Sequence, residues 1–358
     1  MPARRPVLLS LLALAGCASI GPATVPRDRL GYLAAIGESW KDQTLLNIVR
    51  LRYGDAPTFL EISSIISGYG LQGQLSAGGQ VSSDRTNTIP SSLATLGASG
   101  TYLDRPTISY APLTGERFTR SLLRPIPPSA IFELIQTGFP ADFILMVTTK
   151  ALNGVFNRSS VGGVSRPADP AFYPLLDALR RLQVSGSVSL RLEKNGPVET
   201  ARVVLSARRS VAIDQDLQRV REILGLAQDR PREMTLVFGA VPRDGGELAV
   251  LSRSMMEILL EIALGIDVPA EHVAQGRTAA SARPADAEDP RDRPLVRVLA
   301  GPDRPADSFA AVRHHDTWYW IDDRDYRSKR ALSIMMLFFS LAETGVTPQA
   351  PLLTVPAN

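Results

Sequence analysis

The stretch Tyr69–Val81, YGLQGQLSAGGQV, decides how this chain folds, together with the run that answers it at residues 94–102, ATLGASGTY. In the first, Tyr69, Leu71, Gly73, Leu75, Ala77, Gly79 and Val81 alternate with Gln72, Gln74, Ser76 and Gln80. In the second, Ala94, Leu96, Ala98, Gly100 and Tyr102 alternate with Thr95, Ser99 and Thr101. Successive side chains of a strand leave on opposite faces, so a period of two marks strand. With a polar loop at residues 82–92 between them, the two runs predict one long β-hairpin over residues 69–103. Its surroundings share its character: residues 59–111 are rich in glycine, serine and threonine and nearly free of charge.

Working outward, residues 27–53 have helical spacing, with Leu30, Leu33, Trp40, Leu45, Ile48 and Leu51 broadly on one face. Gly54 and Pro57 stop that helix, and Gly31 and Gly37 are its weak points. Downstream, short helices are expected at residues 116–123 and 129–137, then an apolar strand or buried helix at 143–147. The glycines and proline of residues 157–170 suggest a domain boundary, so that 27–160 forms a helix-plus-hairpin region and 170–358 a second domain.

In that second part, helices are expected at residues 171–182 and 214–224, the latter closed by Gly225. Ser254 and Glu257 have capping-box spacing ahead of a helix that Gly265 ends. Strands are expected at 188–193 and 198–207 around Asn195-Gly196, at 234–238, 295–299, 309–313 and 318–321, with a turn at 314–317. Asp322 or Asp323 is suited to cap a helix reaching Ala342 that is apolar over most of its circumference after Ala331. Residues 276–293 carry no large apolar side chain and predict a flexible loop, and residues 352–355 form a short apolar close. The fold class expected is α+β: an N-terminal helix and long β-hairpin followed by a mixed helix/antiparallel-sheet body.

At the N-terminus, Arg4 and Arg5 precede an apolar run, residues 7–14, too short for a membrane span of about 20 residues. The run ends in Leu14, Ala15, Gly16 and Cys17, which match the lipobox residue by residue, and the chain thereby resembles bacterial outer-membrane lipoproteins. The resemblance implies a cleaved signal at residues 1–16, a diacylglyceryl group on the Cys17 thiol, and a lipidated tether over 17–26. Two or three acyl chains at roughly 0.8 kcal/mol per buried CH2 make such an anchor effectively permanent. Ala18 replaces the aspartate that resembles an inner-membrane retention signal, so the implied address is the outer membrane, facing the periplasm. Residues 105–110, RPTISY, leading to Gly115 and Glu116, and Trp320, Ile321, Asp322 and Asp323 with Ser328 and Lys329, resemble segments of uncharacterised envelope lipoproteins, a likeness that carries no activity.

Cys17 is the only cysteine, which excludes disulfides and cysteine metal clusters. Loss of residues 1–16 removes two arginines and lowers the formal charge from +3 to +1, so basicity gives no ground for nucleic-acid binding. Lysine occurs only at 41, 150, 194 and 329, and the remaining basic residues are arginine.

The chemical candidates are few. His314, His315 and Asp316 suit metal binding or acid–base work by type. Adjacent strand residues point to opposite faces, however, so the two histidines share an ion only across a turn, and they are taken as polar residues of a hairpin turn. Asp322, Asp323 and Asp325 are taken as helix-capping acids. Gly68, Gly70 and Gly73 spell G-x-G-x-x-G, but a strand follows where a dinucleotide site needs a helix. No G-x-S-x-G occurs and no lysine has a serine three residues before it. Trp318, Tyr319 and Trp320 are taken as core. No catalytic residue, cofactor or metal is therefore assigned.

Three functions remain open. The first is a non-catalytic envelope scaffold or accessory subunit, held to the membrane by lipid on Cys17 and bound to an envelope protein. The second is a homo-oligomeric export or pore component that inserts the 69–103 hairpin, with Tyr69, Leu71, Leu75, Val81, Leu96 and Tyr102 as the membrane or oligomer positions. Each hairpin arm is about 10 to 13 residues long, against the 9 to 11 of a tilted membrane strand, and only a ring of hairpins would leave no unpaired edge; the alternative is a hairpin within a soluble sheet. The third is a hydrolase or binding protein for an envelope glycan or lipid.

Overall fold

The computed structural model describes residues 20–66, 69–81, 92–104, 106–159, 166–195, 198–205, 211–226, 233–281, 290–342 and 353–356. The fold is α+β, and the described residues fall into two units: those within Met1–Gly37, Leu60–Pro112 and Thr347–Asn358, and those within Glu38–Phe59 and Leu113–Val346. The division differs from the boundary expected at 157–170, because residues 113–159 group with the second unit.

In the first unit the hairpin is present. Strands β2 (Tyr69–Val81) and β3 (Ser92–Asp104) pair antiparallel from Tyr69↔Asp104 to Val81↔Ser92 with no register shift. Strands β1 (Leu60–Ile66) and β4 (Thr107–Pro112) also pair antiparallel, with one irregularity between Ile62 and Ser64. Past it, Ile66↔Thr107 stands in the same register as Tyr69↔Asp104, so one strand alignment serves both ladders. The apolar C-terminal segment, β14 (Leu353–Pro356), adds to the free side of β4. Among the described residues, β2 and β3 gain no third strand.

Helix α1 (Ile20–Arg52) begins earlier than the sequence spacing indicates and runs through Gly31, Gly37 and Pro26, so residues 20–26 are helical where a tether was expected. Its apolar face is not core throughout. Leu30 and Leu33 are two-thirds exposed, whereas Leu45, Ile48 and Val49 are fully buried in the second unit's core.

The second unit is built on a six-stranded sheet, ordered β6-β5-β10-β9-β8-β7. Its members are β5 (Thr149–Leu152), β6 (Val155–Phe156), β7 (Val188–Asn195), β8 (Val198–Leu205), β9 (Glu233–Phe238) and β10 (Glu247–Ser252). The sheet is antiparallel except between β9 and β10, which run parallel, so the mixed helix/antiparallel-sheet body contains one parallel pair. The β5–β6 turn is Asn153-Gly154, both with positive φ (45° and 82°), the pair a two-residue type I′ turn requires. The Asn153 side chain also accepts from Ala249 N (2.7 Å) and donates to Leu224 O (2.9 Å), tying the turn to β10.

The helices of this unit are α2 (Gly115–Phe118) with a π-helical turn at Thr119–Leu123, α3 (Pro128–Gln136), α4 (Ala141–Thr148), α5 (Phe172–Val184), α6 (Val211–Leu224), α7 (Met255–Leu264), α8 (Ala270–Ala274) and α9 (Tyr326–Ala342), of which α3 and α5 pack on the sheet and α9 on α7. Residues 143–147, open between strand and buried helix in sequence, are helical in α4. The Ser254/Glu257 capping box forms at α7 as its spacing predicts. At α9 the cap is Asp325, one turn later than Asp322: its carboxylate accepts from Ser328 N (3.1 Å) and Ser328 Oγ (2.7 Å). Asp322 instead accepts from Arg324 N in the preceding turn (2.8 Å). Residues 295–298 are not a strand, although Leu295, Val296 and Val298 are buried; pairing begins only at β11 (Leu299–Gly301).

The loop expected at 276–293 is anchored at both described ends. Arg52 donates to Thr278 Oγ1 (3.0 Å) and Ala279 O (2.7 Å), and Tyr173 Oη donates to the buried Asp292 carboxylate (2.5 Å).

Charge is buried where the helices meet. The Arg253 guanidinium donates to Met146 O (3.2 Å), Val147 O (3.1 Å) and Arg158 O (2.6 Å), and Arg158 pairs with the buried Glu261 at 3.2 Å. Burial pushes Arg253 down to about 10, with the Glu261 carboxylate opposing. Breaking such a pair leaves an uncompensated buried charge, so Glu261→Ala is expected to lower stability by about 3–5 kcal/mol, measured by urea unfolding of the full chain.

A milder pH dependence comes from Glu257, which accepts from Lys150 Nζ (2.7 Å) and Ser254 N (2.8 Å). Burial pushes its carboxyl up, but the Lys150 and Ser254 hydrogen bonds and the Lys150 and Arg253 charges outweigh burial and hold it below 4.5. A carboxylate with a depressed folded pKa stabilises above its unfolded value and loses that contribution as pH falls through the folded one. Wild type should therefore exceed Glu257→Gln, which keeps the capping box, by less than about 1 kcal/mol at pH 7 for this part-exposed pair. The margin should shrink as pH falls below the unfolded glutamate value of about 4.3 and disappear once pH has passed the lower folded value, in parallel urea titrations.

Candidate functional site

Helix α1 ends in a Schellman turn. Asp55 N donates to Arg50 O (2.9 Å) and Gly54 N to Leu51 O (3.2 Å), with Gly54 at φ +80°. Asn47 then clamps the exit, its side chain exchanging hydrogen bonds with Thr58 N and O, both 2.8 Å. This puts Tyr53 at the helix end and Asp55 just past it.

A second tight turn faces them. Strands β12 (Ser308–His314) and β13 (Thr317–Asp322) join through His315 and Asp316, whose φ values of +46° and +63° with the His314↔Thr317 pair define a type I′ turn. Asparagine and glycine adopt this conformation most easily, and for other residues it costs roughly 1–2 kcal/mol each. Arg313 spans the turn to Asp316 at 2.9 Å.

The two turns and α8 gather the chain's three histidines around one phenol. The Tyr53 hydroxyl lies 2.6 Å from His272 Nδ1 and 2.5 Å from Tyr319 Oη. The His314 and His315 rings each stand 5.1 Å from the Tyr53 ring and 4.2 Å from each other. His314 Nε2 is buried, has no hydrogen-bond partner, and points at Asp55 Oδ2 from 3.5 Å. Beside the cluster a cleft of about 520 Å³ is lined by His272, Asp316, Thr317, Asp267, Glu271 and Gly301, among others.

The electrostatics favour neutral groups. Burial pushes Tyr319 far up, reinforced by its hydrogen bond to Tyr53, and burial raises Tyr53 as well, so both phenols stay protonated. Burial pushes the His314 imidazole down; His315, Arg50 and His272 add to this and Asp55 opposes it. A neutral His314 imidazole beside a carboxylate can ligate a metal ion or accept a proton, whereas the phenols serve as hydrogen-bonding posts.

This arrangement supplies the turn across which the two histidines can share an ion. Strand alternation would separate His314 and His315, but the left-handed turn after His314 swings His315 back to the same side. Tyr53 and Asp55 carry no sequence signal for this role, since they lie more than 200 residues from His272. Tyr319 is fully buried, as its alternating pattern suggests, while Trp318 and Trp320 remain partly exposed.

The hairpin positions are also brought together, by backbone register. Leu71 faces Tyr102, Leu75 faces Ala98, Ala77 faces Leu96 and Val81 faces Ser92, so positions 69, 71, 75, 81, 96 and 102 share one face. On the other face Gln74, Ser76, Gly78, Gly97, Ser99 and Thr101 are exposed. Gly70 and Gly73 lie within β2, which removes the dinucleotide reading. Cys17 and residues 1–16, expected from sequence to be a cleaved signal, lie outside the described residues, and among the described residues no helix is long and apolar enough to cross a membrane.

Compared with known proteins, the chain matches no family model, no curated protein and no solved structure.

Tyr53→Phe strips a partner from both the Tyr319 hydroxyl and His272 Nδ1. Leaving buried polar groups unpaired costs about 1–3 kcal/mol, the expected loss in urea unfolding.

Proposed function

We propose that this protein is a lipid-anchored envelope component of the bacterial outer membrane that assembles as a homo-oligomer through the β2–β3 ribbon, forming an export or pore structure. The observation that carries the reading is the unshifted register of β2 and β3, which puts Tyr69, Leu71, Leu75, Ala77, Val81, Leu96 and Tyr102 on one face and, apart from Leu93 and Leu103 near the ends of β3, glutamine, serine, threonine and glycine on the other. No charged residue occurs at 62–83 or 86–103, and Asp84 and Arg85 stand in the connection between the strands. Thirteen residues per strand reach roughly 43 Å, more than a hydrocarbon core of about 30 Å requires.

An amphipathic ribbon of two strands has two unpaired edges, which lipid cannot satisfy. Ribbons from several copies pairing edge to edge would close a barrel, with the apolar face toward lipid and the uncharged polar face toward a lumen. Lipid on Cys17 would hold each copy at the membrane while the ring forms.

The lipidated chain, purified in detergent, is expected to run as heat-resistant rings and to make liposomes conduct. Leu71→Arg, Leu75→Arg or Leu96→Arg should abolish both, since an arginine on the lipid face costs about 2–4 kcal/mol per copy near the midplane, with the circular dichroism of the body unchanged. The Cys17→Ser chain should still form rings in detergent. A soluble Cys17→Ser monomer, or charged ribbons that assemble as wild type does, would overturn the reading.

A further inference from the structure

Independently of the ribbon, we propose that Asp55, His314 and His315 form a binding site for a divalent transition cation of the zinc class. One ligand atom from each of the three residues lies within 4.8 Å of the others. Of these, His314 Nε2 and Asp55 Oδ2 stand 3.5 Å apart without a hydrogen bond between them. That spacing is long for a hydrogen bond but close to the separation of two ligands on one tetrahedral ion, about 3.3–3.5 Å for metal–ligand bonds of about 2.0–2.2 Å. Binding an ion there would also give the buried Nε2 the partner it lacks. Nitrogen and oxygen donors without sulfur suit zinc, cobalt or nickel better than magnesium or calcium, which take oxygen.

The surroundings suit an ion that keeps an open position. Asp55 and His315 are exposed, so solvent reaches the site, and three protein ligands leave a fourth place for water or another ligand. Tyr53, fixed by His272 and Tyr319, stacks edgewise on His314 and tilts against His315, and so sets the orientation of both rings. The strained left-handed turn at His315 and Asp316 is what turns the second imidazole toward the first. Arg50 opposes a cation here, and the Asp55 carboxylate offsets it.

The test uses the full chain, carrying a tag without histidine, stripped by chelator and titrated with Co2+ while d–d absorption is recorded. One Co2+ per chain, displaced by Zn2+, with affinity lowered at least about tenfold in both Asp55→Asn and His315→Asn, is the expected result. Both residues are exposed and asparagine tolerates the left-handed conformation at 315, so unchanged circular dichroism should accompany the loss. Absence of saturable Co2+ binding, or equal affinity in the Asp55→Asn/His315→Asn double variant, would overturn the proposal.

Discussion

A ribbon of two strands cannot pair its own outer edges, and one of its faces must find cover if it is apolar. Those two constraints meet in β2 and β3. Their register puts Leu71 opposite Tyr102 and Ala77 opposite Leu96, so a one-residue slip would scatter apolar positions over both faces. The pairing of β1 with β4 holds the same alignment, and β14 completes that end as a third strand. The chain thus supports the base of the hairpin while leaving the long uncharged arms as two strands among the described residues.

The second unit follows different rules. Its sheet is accompanied by helices whose ends are fixed by local chemistry: the Ser254/Glu257 box, the Asp325 cap, the Schellman turn at Gly54. Arg253 and Glu261 add a buried charged network among backbone carbonyls that apolar packing alone would not specify. The Tyr53 cluster is a by-product of the same turns, because a helix terminus and a type I′ turn meet there and each delivers side chains that sequence keeps apart.

How much of this was legible depended on distance along the chain. The hairpin, the capping box and the turn at 314–317 are written in neighbouring residues, and all three form. Residues 295–298 read as a strand because apolar character signals burial, but burial without a pairing neighbour leaves them irregular. Asn153-Gly154 is as strong a turn signal as Asn195-Gly196, but the strands beside it are only four and two residues long and offer no alternation to read. The parallel β9–β10 pair, joined by only eight residues, runs against the usual need for a longer crossover. The histidine cluster was hidden for two reasons: Tyr53 and Asp55 come from the far end of the chain, and the positive φ of His315 reverses the alternation on which the strand argument relied.

The account stands on the claim that one face of the ribbon meets lipid and the other water. Since Cys17 is the only cysteine and would carry lipid, single substitutions Leu71→Cys, Gln72→Cys, Gln74→Cys, Leu75→Cys, Ser76→Cys and Ala77→Cys can each be labelled in the membrane-reconstituted protein with an environment-sensitive fluorophore. Quenching from within the bilayer should strike positions 71, 75 and 77, and aqueous quenching positions 72, 74 and 76. Uniform aqueous quenching, or no alternation between odd and even positions, would contradict it.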